Sequence, residues 1–160
     1  MIEKAIITGG AGLVGQSLAR YLAKQNIDVL CLGRKHLSTE DVKEIFGEGI
    51  SYLKLDLKNI DDLENKIEKF NWIPGNKCIF YHFAWSGVDR LTDGNIEDQL
   101  KNVTFSANAI KVAKKIGCLK FVNSGTIEET YAEWHLNKKS KYNSSQANYA
   151  MAKLAARDMC

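Results

Sequence analysis

Residues 8–15, TGGAGLVG, follow directly on the apolar run Lys4–Thr8 and open a segment of helical period, Ala11–Lys24. A strand that passes through a glycine-rich turn into a helix is the setting in which such a pattern meets a phosphate. Gly9, Gly12 and Gly15 suit it because the turn is tight and because a Cβ would hold the backbone away from a pyrophosphate. Free N–H groups and the positive end of the helix dipole would meet that charge. The spacing is GxxGxxG rather than GxGxxG.

The same alternation continues along the chain. Val29–Leu32 precedes helical Thr39–Phe46, Ser51–Leu55 precedes Ile60–Phe70, Cys78–Phe83 precedes Ile96–Ile116, and Lys120–Ser124 precedes a last helix from about Ala147. Five β-α units predict parallel strands joined by crossovers, with helices on both faces: an α/β, doubly wound, Rossmann-type sheet. In the long fourth helix Ile96, Leu100, Val103, Ala107, Ile110 and Ala113 recur every three or four residues, so this stripe is expected to face the sheet. The polar stretch Thr130–Ser145 reads as a break, with Ser145 as the N-cap of the final helix.

With 160 residues, the chain is expected to form one domain over 1–160. The net charge of +3 is too small and dispersed to suggest nucleic acid, and the lysine pairs 114–115 and 138–139 read as solvated faces. No segment approaches the ~20 apolar residues of a membrane span. Four cysteines, without CxxC spacing, read as reduced thiols of a cytoplasmic protein.

Where an NAD enzyme places a carboxylate against the adenosine ribose, after the second strand, this chain has Gly33-Arg34-Lys35. Arg34 and Lys35 would attract a 2′-phosphate, so NADP(H) is expected in preference to NAD(H). Asp28 begins the strand and lies at the wrong edge to substitute. Asp56-Leu57 ends the third strand, where the carboxylate could accept from adenine and a main-chain N–H could reach a ring nitrogen; capping the next helix is the competing role of Asp56.

Tyr149 and Lys153, four apart in NYAMAK, share one helix face. A free tyrosine ionises near pH 10, and a neighbouring ammonium favours the phenolate, which is what a proton-transfer group needs. Thr126, in SGT after the fifth strand, offers a hydroxyl to orient a reacting oxygen. His82 reads as a packed strand-end residue. Glu128 and Glu129, read as lying in an exposed loop, are weaker candidates for acid–base work.

With TGGAGLVG, Asp56-Leu57, YHFAWSGV after the fourth strand, Asn102, FVNSGT and YAMAK in order, the chain resembles the N-terminal part of an extended short-chain dehydrogenase/reductase, the NAD(P)-dependent epimerase/dehydratase family. By that resemblance Leu13, Val14, Phe83, Ala84 and Asn102, with Tyr149 and Lys153, contact the cofactor. Thr126, Tyr149 and Lys153 form the catalytic set. The resemblance also implies a nucleotide-sugar substrate, whose C-terminal binding region would be missing here, so that the domain would be incomplete at that end. It further implies a homodimer through the exposed faces of the long helix and the Tyr149 helix. The chain departs from the family in reading IEETYAE where a Tyr-Gly pair commonly follows the Ser/Thr turn. A non-catalytic NADP(H)-binding module and an inactive fragment of a longer enzyme are the alternatives.

Overall fold

The computed structural model describes residues 1–87, 95–137 and 147–160. The predicted Ser145 cap and the Lys138-Lys139 pair lie outside them. Contacts divide the chain into two units: Met1–Ala84 with Asn108–Val122, and Trp85–Ala107 with Asn123–Cys160.

In the first unit, β1 (Lys4–Thr8) is apolar on both faces, with Ala5, Ile6 and Ile7 fully buried, as a central parallel strand must be. It pairs in parallel with β2 (Asp28–Gly33) on one side and β4 (Cys78–His82) on the other, and β2 pairs in parallel with β3 (Ile50–Lys54). With β5 (Lys120–Asn123) the order is β3-β2-β1-β4-β5, so the winding reverses between β1 and β4. The doubly wound sheet is therefore the one expected.

The two faces of the sheet carry separate cores. Ile6, Leu30, Leu63, Phe80 and Val112 belong to one, and Ile7, Ala19, Val29, Cys31 and Phe46 to the other. Helices α1 (Leu13–Lys24) and α2 (Thr39–Phe46) follow the first two strands. Ser38 caps α2 with a reciprocal box, its hydroxyl accepting from Asp41 N while the Asp41 carboxylate accepts from Ser38 N. The third crossover begins as a 3-10 turn, Leu57–Asp62, before α3 (Leu63–Lys69), where one helix over 60–70 was expected. Asp56 starts that turn early by accepting from Lys58 N at 3.1 Å, so its capping role is real.

Two expectations need correction. In α4 (Ile96–Lys115), Ile96 is 56% and Leu100 60% exposed; the buried residues are Gln99, Asn102, Ser106, Ala109, Val112 and Ala113. A hydrophobicity pattern cannot rank a buried amide, and here Gln99 and Asn102 are buried because backbone and indole partners await them. The second is the stretch after Thr126: in place of an exposed loop at Glu128-Glu129 and a break from Thr130, it forms α5 (Ile127–Asn137). Glu129 N donates to Thr126 O at 3.2 Å and Thr126 N to Glu129 Oε1 at 2.9 Å, the glutamate half of a capping box. Within the second unit α5 packs on α6 (Ala147–Met159), and Arg157 of α6 pairs with Glu133 and, at 3.8 Å, with Glu129.

Candidate functional site

In the first unit, the turn after β1 lies where the strand order reverses, the usual ligand crevice of an open α/β sheet. Thr8 ties it to the end of β4. Its Oγ1 lies 2.9 Å from His82 Nδ1 and accepts from Phe83 N at 3.2 Å and Ala84 N at 3.3 Å. His82 is buried and stacks on Phe121 at 5.7 Å, the packed role expected.

The glycines divide by function. Gly9 has φ +68, and a Cβ there would stand 2.9 Å from Ala84 N; one on Gly10, an x position of the GxxGxxG pattern, would stand 2.6 Å from the Cys31 Cβ. A Cβ on Gly15 would lie 2.8 Å from Gly10 Cα and overlap Gly9 O. These three serve the protein's own close packing. Gly12, which caps α1, is the least crowded of them: a Cβ there would meet only Gly9 O, at 3.2 Å. Leu13 and Val14 follow it, 85% and 62% exposed, in the first turn, where backbone N–H groups have no acceptor within the helix.

At the end of β2 the glycine that stands in place of an acid has a physical cause. A Cβ on Gly33 would be 2.5 Å from Tyr52 Oη, and that hydroxyl donates to Lys35 O at 2.8 Å. Beside it an open cleft is lined by Arg34, Lys54, Asp56, Lys58, Asn59 and Lys66. Among the described residues none of its four cations forms an ion pair. Lys35 does not line this cleft, whereas Lys54, Lys58 and Lys66, absent from the sequence reading, do.

In the second unit, Asn102 is buried, and its amide is doubly engaged: Oδ1 accepts from Ser86 N at 2.8 Å and Nδ2 donates to Ser86 O at 2.9 Å. It holds the segment after β4. Lys153 is 3% exposed, and its ammonium donates to Ser124 O and lies 3.4 Å from Ser124 Oγ. Burial pushes the Lys153 ammonium below the ordinary lysine range, and the Glu129 carboxylate and, where ionised, the Cys160 thiolate oppose that shift. Tyr149 lies one turn earlier on the same helix. Both meet Trp85: Lys153 Nζ is 4.3 Å from the indole centroid, and the Tyr149 ring stands at 90° to it, 6.0 Å away. Trp85 lies in the YHFAWSGV segment, where the sequence alone assigns it no role. Glu129 is buried, capping α5, so it is not an exposed loop carboxylate.

The sequence profile described as the NAD dependent epimerase/dehydratase family matches residues 5–160. Among curated proteins no match was found. Solved structures of like fold include the Bordetella bronchiseptica enzyme WbmG in complex with NAD and UDP, at TM-score 0.70 and 20% identity over 99% of this chain and 49% of that one. A UDP-Glc/GlcNAc 4-epimerase from Campylobacter jejuni gives TM-score 0.71 and 20% identity over 98% of this chain and 47% of its own. A UDP-N-acetylglucosamine 4-epimerase from Bacillus cereus gives 0.66 and 20% over 98% and 47%. The chain thus spans about half the length of these structures. Among the described residues no helix is long and apolar enough to cross a membrane.

Proposed function

The chain belongs to the NAD dependent epimerase/dehydratase family, and from that premise we propose that it is the cofactor-binding and proton-transfer segment of a nucleotide-sugar oxidoreductase of the epimerase, dehydratase or reductase type. The observation that carries the reading is Lys153: an ammonium kept 3% exposed, one helical turn from Tyr149. Burying a cation is costly, and a family proton-transfer pair supplies a use for it.

In this reading the nicotinamide cofactor supplies the hydride acceptor or donor, and the glycine turn holds its pyrophosphate through the first N–H groups of α1. Leu13 and Val14 cover the turn. Asp56 and Leu57, with Phe83 and Ala84, border the adenosine and nicotinamide ends, and Asn102 acts indirectly by fixing Ser86. Tyr149 gives or takes the proton of the reacting sugar hydroxyl, Lys153 stabilises the phenolate by its charge, and Thr126 orients the same oxygen. The fold relatives named for UDP or UDP-sugars support a nucleotide sugar as substrate.

NADP(H) is the preferred cofactor, because position 33 carries no carboxylate and, in the cleft beside it, Arg34, Lys54, Lys58 and Lys66 outnumber the single carboxylate of Asp56. Calorimetric titration of the chain with NADPH and NADH tests this. NADPH should bind more tightly, and Arg34→Ala should weaken NADPH alone, by about 1–3 kcal/mol for a lost charge-assisted contact. Equal or tighter NADH binding would overturn the preference, and absence of both would overturn the function. A homodimer through α4 and α6 is supported by the exposed Ile96, Leu100, Met151 and Met159. A monomer in sedimentation at micromolar concentration would count against it.

A further inference from the structure

Resting on the assignment of Tyr149 and Lys153 to proton transfer, we infer that Trp85 is a positioning residue, whose indole fixes the Lys153 ammonium and the Tyr149 ring within the second unit. Three contacts define its setting. The indole Nε1 donates to Gln99 Oε1 at 2.8 Å, and Gln99 is 1% exposed on α4, so the ring is anchored to a side chain that is itself immobilised by burial. The Lys153 ammonium lies 4.3 Å from the indole centroid, inside the range in which a cation is drawn to the negative face of the ring. The Tyr149 ring presents itself at 90° at 6.0 Å, the edge-to-face geometry that aromatic quadrupoles favour.

The space around the anchor is also restricted. Gly87 has φ +97, and a Cβ there would lie 2.9 Å from Gln99 Nε2, which has no hydrogen-bond partner among the described residues. Any larger residue at 87 would push the glutamine and, through it, the indole.

A buried lysine has lost the water that would keep it charged. Its described partners are Ser124 O, Ser124 Oγ and the indole face. The titratable groups around it are Glu129 from α5, Tyr149 from α6 and Cys160 just after α6, while Arg157 is engaged with Glu129, Glu133 and Asp158. Trp85 therefore contributes attraction to a cation without adding a titrating charge, and it constrains where that cation sits relative to the phenol. A tryptophan acting only as core filler would need neither the indole hydrogen bond nor the ammonium over its face.

The test uses the 160-residue chain without cofactor. The pH dependence of Lys153 acetylation by acetic anhydride is read peptide by peptide in a mass spectrometer, with exposed lysines as internal references. Trp85→Leu should move the Lys153 midpoint down by about 0.4–1.5 pH units, the equivalent of a cation–π contact, and Trp85→Phe should recover most of that shift. A midpoint unchanged in a folded Trp85→Leu chain would overturn the inference. Should that variant lose its helical signal, the reciprocal measurement decides. Lys153→Met keeps the volume and removes the cation, so tryptophan emission should change, and the change should vanish when Lys153→Met is made in a Trp85→Phe background. An emission change of equal size in both backgrounds, or none in either, would overturn the assignment. Neither readout involves cofactor, so failure to bind NADPH with these shifts intact would fault the functional reading and leave the contact standing.

Discussion

Replacing Asn102 with leucine separates two roles for this residue. The side chain is 1% exposed, and its amide supplies both partners of the Ser86 main chain, at 2.8 Å to the N–H and 2.9 Å to the C=O. Leucine matches the volume and supplies neither. Each stranded backbone group costs about 1–3 kcal/mol when water cannot reach it. Ser86 is only half-buried, so the lower part of that range applies, and the two groups together should cost about 2–3 kcal/mol. For a chain of this size each kcal/mol moves the midpoint by about 2–4 °C, which places the expected loss at about 4–12 °C in a melt followed by far-UV circular dichroism. Thr104→Ala is the control, since that exposed hydroxyl only bonds back to Leu100 O at 3.3 Å and its removal should change stability by less than about 0.5 kcal/mol. If Asn102→Leu melts with the wild type and loses only NADPH affinity, the residue touches the cofactor directly and the clamp argument fails.

The glycine turn makes a paired prediction. Gly15→Ala should destabilise the fold by about 1–3 kcal/mol, because its Cβ would meet backbone atoms of Gly9 and Gly10, while Gly12→Ala, whose Cβ meets only Gly9 O at 3.2 Å, should cost less, under about 1 kcal/mol for the poorer cap, and should lose NADPH affinity in titration; equal melting of the two would refute the division. Gly33→Asp should lower the melting temperature by displacing the Tyr52 hydroxyl from 2.5 Å, and adding Tyr52→Phe should restore it, since the nearest remaining ring carbons stand at 3.3 Å; an undisturbed single variant would show that Tyr52 does not exclude the acid. Burial pushes the Cys31 thiol up to about 12, above the ~8.5 of an unfolded cysteine. Its contribution to stability is therefore full below about pH 8.5 and lost as pH rises toward 12, so urea midpoints should fall across that window and fall less steeply in Cys31→Ala. Parallel slopes in the two proteins would refute it.

The order of elements, the parallel sheet and the positions of the glycine turn, Asp56, Thr126, Tyr149 and Lys153 were legible in the chain itself, because they rest on local rules. These are alternating strand and helix periods, a Cβ-free turn between strand and helix, and four-residue spacing on one helix face. α5 was legible in principle: Thr126-Ile127-Glu128-Glu129 is a capping-box pattern, although the polar stretch beyond it reads as a loop. What the tertiary structure decided is which polar groups go inside. No pattern of apolar residues could show that Gln99 and Asn102, rather than Ile96 and Leu100, occupy the buried face of α4. That choice depends on hydrogen-bond partners at Trp85 and Ser86, more than ten residues away in sequence. The same holds for Tyr52 keeping position 33 a glycine, for Lys54, Lys58 and Lys66 gathering beside Arg34, and for the indole of Trp85 beneath Lys153. Each is a contact between residues distant in the chain, and such contacts carry energies of the same size as the local preferences from which a sequence is read.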